Sequence, residues 1–151
     1  MLGDFVVSIE LRFLIGFVFA FVAGFLIGYE RGSRGIPAGV RTNTMVCVGA
    51  MLFALLSNNV DPESASRMAA GVVTGIGFLG AGIIMHHKGS VQGLTTAATI
   101  WMSAAIGVAI GFELYLVAVM ATLFSFLVLR MPHIGERQAK RKKAEKIKNY
   151  S

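Results

Sequence analysis

Acidic residues are scarce in this sequence, whose 151 residues include 8 Asp and Glu against 14 Lys and Arg. A pathway for divalent cations needs carboxylate or carbonyl oxygens, because Mg²⁺ prefers oxygen ligands and retains much of its water. Glu30 is the single candidate acid on the side of the membrane that we assign below to the cytoplasm. A dedicated magnesium pore is therefore poorly supported, although backbone carbonyls near the glycines could substitute for side chains.

Cysteine and proline are also rare, with one and three residues. Cys47 has no partner for an intramolecular disulfide, and no proline interrupts an apolar run. The sequence has no nucleophile–base–acid set, P-loop or dinucleotide fingerprint, and His86 and His87 lack further ligands at a useful spacing. We therefore expect no enzyme, no catalytic residue, no cofactor and no metal site.

Long apolar runs dominate the sequence, which is 55% hydrophobic with a mean hydropathy of +0.69. A membrane-spanning helix needs roughly 17–25 mostly apolar residues. The runs predict an all-α membrane bundle of about five transmembrane helices, near residues 13–29, 42–57, 68–85, 96–112 and 114–129. The second is short, and only Glu113 separates the last two, so a tight turn is expected there.

The charges of the loops predict the orientation of these helices. Arg31, Arg34 and Arg41 lie in the first turn, Lys88 lies in the third, and basic residues crowd the tail 131–151. By the positive-inside rule the N-terminus is outside and the tail is cytoplasmic. We expect the tail to bind anionic lipid, and its lack of interleaved aromatics argues against nucleic acid.

Two stretches, 24–53 and 77–106, are interpreted as copies of one motif. Each has an apolar segment, a glycine-rich polar turn, a helix start with hydroxyl groups and a second apolar segment. Two helices per copy place both polar turns on the cytoplasmic side, next to each other. The turns therefore supply the candidate ligand- or partner-binding residues: Glu30, Arg31, Arg41, Thr42, Asn43, Thr44, Ser90, Thr95, Thr96 and Thr99.

Two interpretations of these turn residues stay open. The threonines either cap their own helices or, with the nearby arginines, form a site for a carboxylate, phosphate or lipid head group at two helix N-termini. Glu30 either pairs with Arg41 or Arg31, which we favour, or serves as a proton or cation site.

Glycines are densest in the third helix, at Gly71, Gly75, Gly77, Gly80 and Gly82. The small-xxx-small spacing predicts close packing of helices, and a homodimer built on glycine faces is the default expectation. The alternative is a broken or hinged helix that lines a path. In the loop before this helix, Asp61 and Arg67 form a predicted outer polar pair.

Glu30-Arg31, residues 38–42, residues 73–82, residues 93–99 and the pair Asp61…Arg67 resemble the MgtC/SapB family over nearly all of 13–112. The resemblance implies a bacterial inner-membrane protein linked to growth at low magnesium and to survival inside host cells. It also implies a regulatory role, with the membrane ATP synthase as one partner. Prototype members carry a soluble C-terminal domain where this chain has its basic tail, so functions of that domain are not carried over.

Two functions therefore compete. The first is a non-enzymatic regulator whose cytoplasmic turns bind a protein partner or an anionic ligand. The second is a small transporter or channel for magnesium or another ion, suggested by the duplicated hairpins and the glycine-rich helix.

Overall fold

The structure, a computed structural model, describes residues 2–87 and 90–131, with side chains described from residue 9 to 86 and from 91 to 131. Five helices form the bundle within these residues: α1 (Leu2–Ser33), α2 (Val40–Val60), α3 (Ala65–Ile83), α4 (Leu94–Gly111) and α5 (Tyr115–Arg130). Four are long and apolar enough to cross a membrane, and α5 is a shorter apolar helix. The predicted all-α membrane bundle is confirmed.

Several helix bounds differ from those expected. The 21 residues of α2 span about 31 Å and need no thinned bilayer, because the helical backbone continues through Arg41 and Asn59, which hydropathy alone excludes. The helix predicted at 68–85 begins and ends earlier. Met85 instead belongs to a short antiparallel hairpin, β1 (Met85–His87) and β2 (Ser90–Gln92), in which it pairs with Gln92.

Helix α2 lies at the centre of the bundle, and glycines let two helices approach it closely. A Cβ at Gly24 or Gly28 of α1 would lie 2.6 Å from the Thr44 Cα or 2.5 Å from the Val40 Cα. On the other side of α2, a Cβ at Gly107 would overlap the Cys47 carbonyl oxygen. Backbones in lipid pack this closely only where side chains are small, so these glycines set the interhelical distances.

The glycines of α3 do not serve this purpose within the chain. A Cβ at Gly71, Gly75, Gly77 or Gly82 would have no heavy atom within 4 Å, and one at Gly80 would meet only the Ala97 Cβ, at 3.6 Å. The helix is continuous from Ala65 to Ile83, so it is not broken, and the hinge alternative stays a prediction. Only 6% of its apolar stretch is buried inside the molecule, which leaves its glycine face open.

Residues in the left-handed backbone conformation end two of the helices, α1 and α4. Gly35, at φ +66°, ends α1 with Ile36 N–H bonded to the Arg31 carbonyl and Gly35 N–H bonded to the Gly32 carbonyl. Glu113, at φ +62°, ends α4 in the same Schellman pattern, and α5 begins two residues later. The tight turn predicted at Glu113 is therefore present.

The two ends of the bundle carry different groups. At one end, Arg12 Nη1 lies 2.9 Å from Glu113 Oε1, and Asp61 and Arg67 are joined through the Ser64 hydroxyl rather than directly. The opposite end, which we call the turn end, holds residues 34–39, the hairpin and Arg130 at the end of α5. Both predicted polar turns thus lie at one end of the bundle.

Candidate functional site: a buried polar cluster at the turn end

Arg31 joins the two polar turns. It lies in the last turn of α1 with 3% of its surface exposed, and its Nη2 donates a hydrogen bond to Thr96 Oγ1 at 2.5 Å. Thr96, 4% exposed, lies in the first turn of α4, 65 residues along the chain. The contact therefore connects the first copy of the motif to the second inside the molecule.

Glycine, rather than threonine, starts both helices at this end. The residues before α2 and α4 are Gly39 and Gly93, and neither helix start has a side-chain cap. The expected hydroxyl caps at Thr42, Thr44, Thr95 and Thr96 were wrong. Gly93 takes φ +86°, and a Cβ there would overlap the Ile83 carbonyl oxygen, so glycine is what brings the start of α4 against the end of α3.

The threonine hydroxyls are used in other ways. Thr96 accepts the hydrogen bond from Arg31, while Thr99 donates to the Thr95 carbonyl one turn earlier at 2.7 Å. Thr42 is exposed, and the buried hydroxyl of Thr44 has no hydrogen-bond partner within the described part of the chain. Of the four predicted capping residues, only Thr96 thus contacts the arginine.

Asn43 holds the first turn against the bundle. Its side chain is fully buried, and Nδ2 donates to the carbonyls of Ala38 (2.5 Å) and Gly39 (3.0 Å). Its Oδ1 accepts a hydrogen bond from Ser103 Oγ of α4 at 2.8 Å. Ser103 was not predicted, although a serine inside an apolar run was an available signal. The side-chain amide of Asn43 thus finds its hydrogen-bond partners within the described residues.

Glu30 is neutralised by arginines other than those expected. Its Oε1 lies 2.5 Å from Arg34 Nη2, and its Oε2 lies 3.7 Å from Arg130 Nε of α5. The expected pairing with Arg31 or Arg41 was wrong. Successive residues point about 100° apart on a helix, so Arg31 faces α4, whereas Arg34 lies one turn on from Glu30 on the same face.

The polar cluster thus consists of Glu30, Arg31, Arg34, Thr96 and Arg130. The other predicted residues described below lie outside it. Arg41 is exposed on the first turn of α2. Ser90 begins β2, but its side chain is outside the described residues, as are Lys88 and residues 132–151 of the basic tail. Within the described residues, no group of three His, Cys, Asp or Glu side chains could hold a metal ion.

The cluster carries an excess of positive charge. It contains three arginines, Arg31, Arg34 and Arg130, and one carboxylate, Glu30, within the described part of the chain. Glu30 is bound to Arg34 and Arg130, and no carboxylate described by the structure lies within 4 Å of Arg31. A buried cation without a paired anion is costly, so this arrangement is suited to accept a negative group.

Apolar helices, close glycine contacts and polar residues gathered at one end define a polytopic α-helical membrane protein. Residues 17–138 match the sequence pattern of the MgtC family, and the chain belongs to that family.

Similarity to two curated proteins supports this family membership. The chain is 52% identical over 110 residues to Protein MgtC of Brucella abortus (strain 2308), covering 72% of this chain and 46% of the relative. It is 47% identical over 111 residues to Protein MgtC of Salmonella typhimurium (strain LT2), covering 74% and 48%. The chain thus spans about half the length of these relatives, and no solved structure matches it.

Proposed function

We propose that this protein is a non-enzymatic regulator of the bacterial inner membrane that supports adaptation to low magnesium or survival in a host. Its turn end is the functional face. The observation that carries the proposal is the buried contact between Arg31 and Thr96, since it unites both turns in one positively charged cluster. Membership of the MgtC family supports the physiological setting.

The proposal places the turn end in the cytoplasm. Arg31, Arg34, Arg41 and Arg130 belong to this end, while Asp61, Glu63 and Glu113 belong to the other, as the positive-inside rule requires. A membrane-impermeant thiol reagent tests the orientation on a chain whose Cys47 is replaced by Ala. Cysteines introduced at Glu63 and at Arg41 should label from outside and inside respectively, and the reverse pattern would contradict it.

The partner or ligand acts at the cluster in this proposal. A test is growth at low magnesium of a bacterium that lacks its own family member and expresses this chain. Thr96→Val removes the hydroxyl that Arg31 contacts while keeping the shape of the side chain, and Arg41→Gln is the matched control, since Arg41 is exposed and outside the cluster. Growth should fall for Thr96→Val at equal membrane levels and should hold for Arg41→Gln.

Equal growth of the two variants would refute the role of the cluster. In the same strains, crosslinking to membrane proteins tests for a partner, with the ATP synthase as the first candidate. Flux of magnesium, potassium, protons and phosphate into vesicles tests the competing transporter function. If vesicles with the wild-type chain show flux and Thr96→Val abolishes it, the transporter function replaces the regulatory proposal.

Two further contacts belong to this proposal. The basic tail binds anionic lipid, and a second copy of the chain packs on the open face of α3 that carries Gly71 and Gly75. That face has the small residues that membrane helices use for close approach, and 6% of the apolar stretch of α3 is buried within the chain. Crosslinking between cysteines introduced at Gly71 in two copies should trap a dimer, and a persistent monomer in native membranes would contradict it.

A further inference from the structure

We propose that a pocket between α1, α4 and α5 binds a phosphate group, in particular that of a membrane phospholipid. The inference rests on the proposed function and names the ligand class of the same cluster. The pocket has a volume of about 80 Å³ and opens at the turn end. Its lining residues include Glu30, Arg31, Arg34, Thr95, Val128 and Leu129.

Arg31 lines this pocket and carries a donor without a partner in the described part of the chain. Only 3% of the Arg31 surface is exposed, and its Nη2 donates a hydrogen bond to Thr96 Oγ1. Its Nε has no hydrogen-bond acceptor within the described part of the chain. Burying a guanidinium away from water is unfavourable unless its donors and its charge are matched, so Arg31 calls for an anionic acceptor that the described residues do not supply.

The start of α4 adds donors on the same side. Ala97 N–H is the first amide of α4 to find its acceptor, the Gly93 carbonyl, so the amides of the preceding turn are free of intrahelical bonds. The helix dipole also favours an anion there. Thr95 stands in this turn and lines the pocket with an exposed side chain.

Glu30 also lines the pocket and would repel an anion if it were unpaired. Glu30 Oε1 lies 2.5 Å from Arg34 Nη2 and Glu30 Oε2 lies 3.7 Å from Arg130 Nε, so these two ion pairs offset its charge. Together with Arg31, the three arginines leave a net excess of two positive charges in and beside the pocket. Arginine and helix amides together offer donors from several directions, which suits the tetrahedral oxygens of phosphate.

The end of the apolar span of α1 implies that the pocket lies at the depth of lipid head groups. Arg31 is two residues, about 3 Å, from the end of the apolar span Ile9–Ser33. A lipid phosphate therefore reaches the pocket laterally from the membrane, and a free phosphate reaches it from solution.

An apolar furrow continues from the pocket towards the middle of the membrane. Thr95, Val128 and Leu129 line both spaces. The furrow has a volume of about 150 Å³ and runs between α4 and α5 past Ala98 to Met102 and Phe124, a distance of about 10 Å along α4. An acyl chain attached to a phosphate in the pocket fits this path, which favours phospholipid as the source.

The test uses the full chain, purified and freed of lipid in a nonionic detergent, with two probes. Native mass spectrometry measures binding of phosphatidylglycerol, and the shift in thermal unfolding measures binding of inorganic phosphate against chloride at equal ionic strength. Arg31→Gln removes the unpaired donor, and Arg41→Gln removes an exposed charge at the same end. We expect Arg31→Gln to weaken phosphatidylglycerol binding about tenfold and Arg41→Gln to leave it unchanged.

Two exposed positions keep the test valid if Arg31→Gln fails to fold. Thr95→Val removes the pocket hydroxyl without changing the shape of the side chain, and Ala98→Phe fills the furrow. Thr95→Val should weaken both probes. Ala98→Phe should weaken only the lipid, which identifies phospholipid as the ligand, whereas an effect of Arg31→Gln on inorganic phosphate with no binding of the lipid identifies free phosphate.

Binding of neither probe, or equal binding to wild type, Arg31→Gln and Thr95→Val, would overturn the inference. In that case a growth defect of Thr96→Val would still leave the proposed function standing, with another ligand at the cluster. Conversely, Arg31-dependent phosphate binding without a growth defect would refute the proposed regulatory role alone.

Discussion

Adding one methyl group at Gly107 should separate α4 from α2. In the structure a Cβ at this position overlaps the Cys47 carbonyl oxygen and lies 2.9 Å from the Ala50 Cβ. The first obstacle is backbone, which cannot rotate away as the end of a long side chain can. The helices must therefore move apart, and the contacts along their seam loosen with them.

The size of the destabilisation follows from comparing Gly107→Ala with the same substitution at a second glycine, Gly77. Gly107→Ala and Gly77→Ala both gain the helix propensity of alanine, about 1 kcal/mol, so this gain cancels in their difference. A Cβ at Gly77 meets no heavy atom within 4 Å. The difference in the free energy of unfolding is then the cost of overpacking alone, about 1–3 kcal/mol.

Equilibrium unfolding in mixed detergent micelles measures this difference, with maleimide labelling of the buried Cys47 as the readout. We expect Gly77→Ala to unfold at the same or a higher denaturant fraction than wild type, and Gly107→Ala at a lower one. If both variants unfold together, α4 does not pack on α2 at this distance and the assignment of the central seam is incorrect.

Three further predictions concern polar contacts and burial. Asn43→Leu should lower the free energy of unfolding by about 1–3 kcal/mol, more than Ser103→Ala, because it removes the donor to the Ala38 carbonyl and the acceptor of the Ser103 hydroxyl, while the Gly39 carbonyl keeps the backbone N–H of residue 43. Chemical unfolding compares the two variants, and a larger loss for Ser103→Ala would contradict the prediction. Arg12→Gln should lower the free energy of unfolding by only about 0–1 kcal/mol, and by less at high salt, because the side chains of Arg12 and Glu113 are 47% and 35% exposed. A loss that does not depend on salt would show that the pair is shielded from water. Cys47 is 0% exposed, so maleimide should label it only after unfolding, and rapid labelling of the native protein would mean that the α1–α2–α4 seam opens.

The fold could be predicted from the sequence because the membrane restricts the choices. An apolar run in lipid must satisfy its own backbone hydrogen bonds, so the runs imply helices directly. Helix ends were less accurate, since the backbone of α2 continues through Arg41 and Asn59, where hydropathy falls. The strands after α3 carried no signal, because three-residue strands are too short for a recognisable alternation.

The glycines that set the close helix contacts within the chain are not those that are densest in the sequence. Density pointed to α3, whereas the close contacts use the Gly-xxx-Gly pairs Gly24 with Gly28 and Gly107 with Gly111. Both pairs were visible in the sequence. Spacing shows which glycines share a helix face, but it does not show which neighbouring helix meets that face.

The candidate site was predicted in outline only. Two turns at one end follow from the count of helices and the loop charges, and Arg31 and Thr96 were among the candidate residues. Arg34, four residues after Glu30 on the same helix face, was an available partner that was not chosen. Arg130 was not predictable, since it comes from a helix 100 residues further along the chain. Nor could the sequence separate Arg31, which is buried, from Arg41, which is exposed.

The sequence by itself determined the membrane class, the helices and the concentration of positive charge at one end, because each follows from hydropathy and charge along a single segment. Only the tertiary structure decided which arginine is buried and which carboxylates are neutralised. Those properties depend on the rotation of each helix against its neighbours, which is fixed by contacts such as Gly107 on Cys47 between distant parts of the chain.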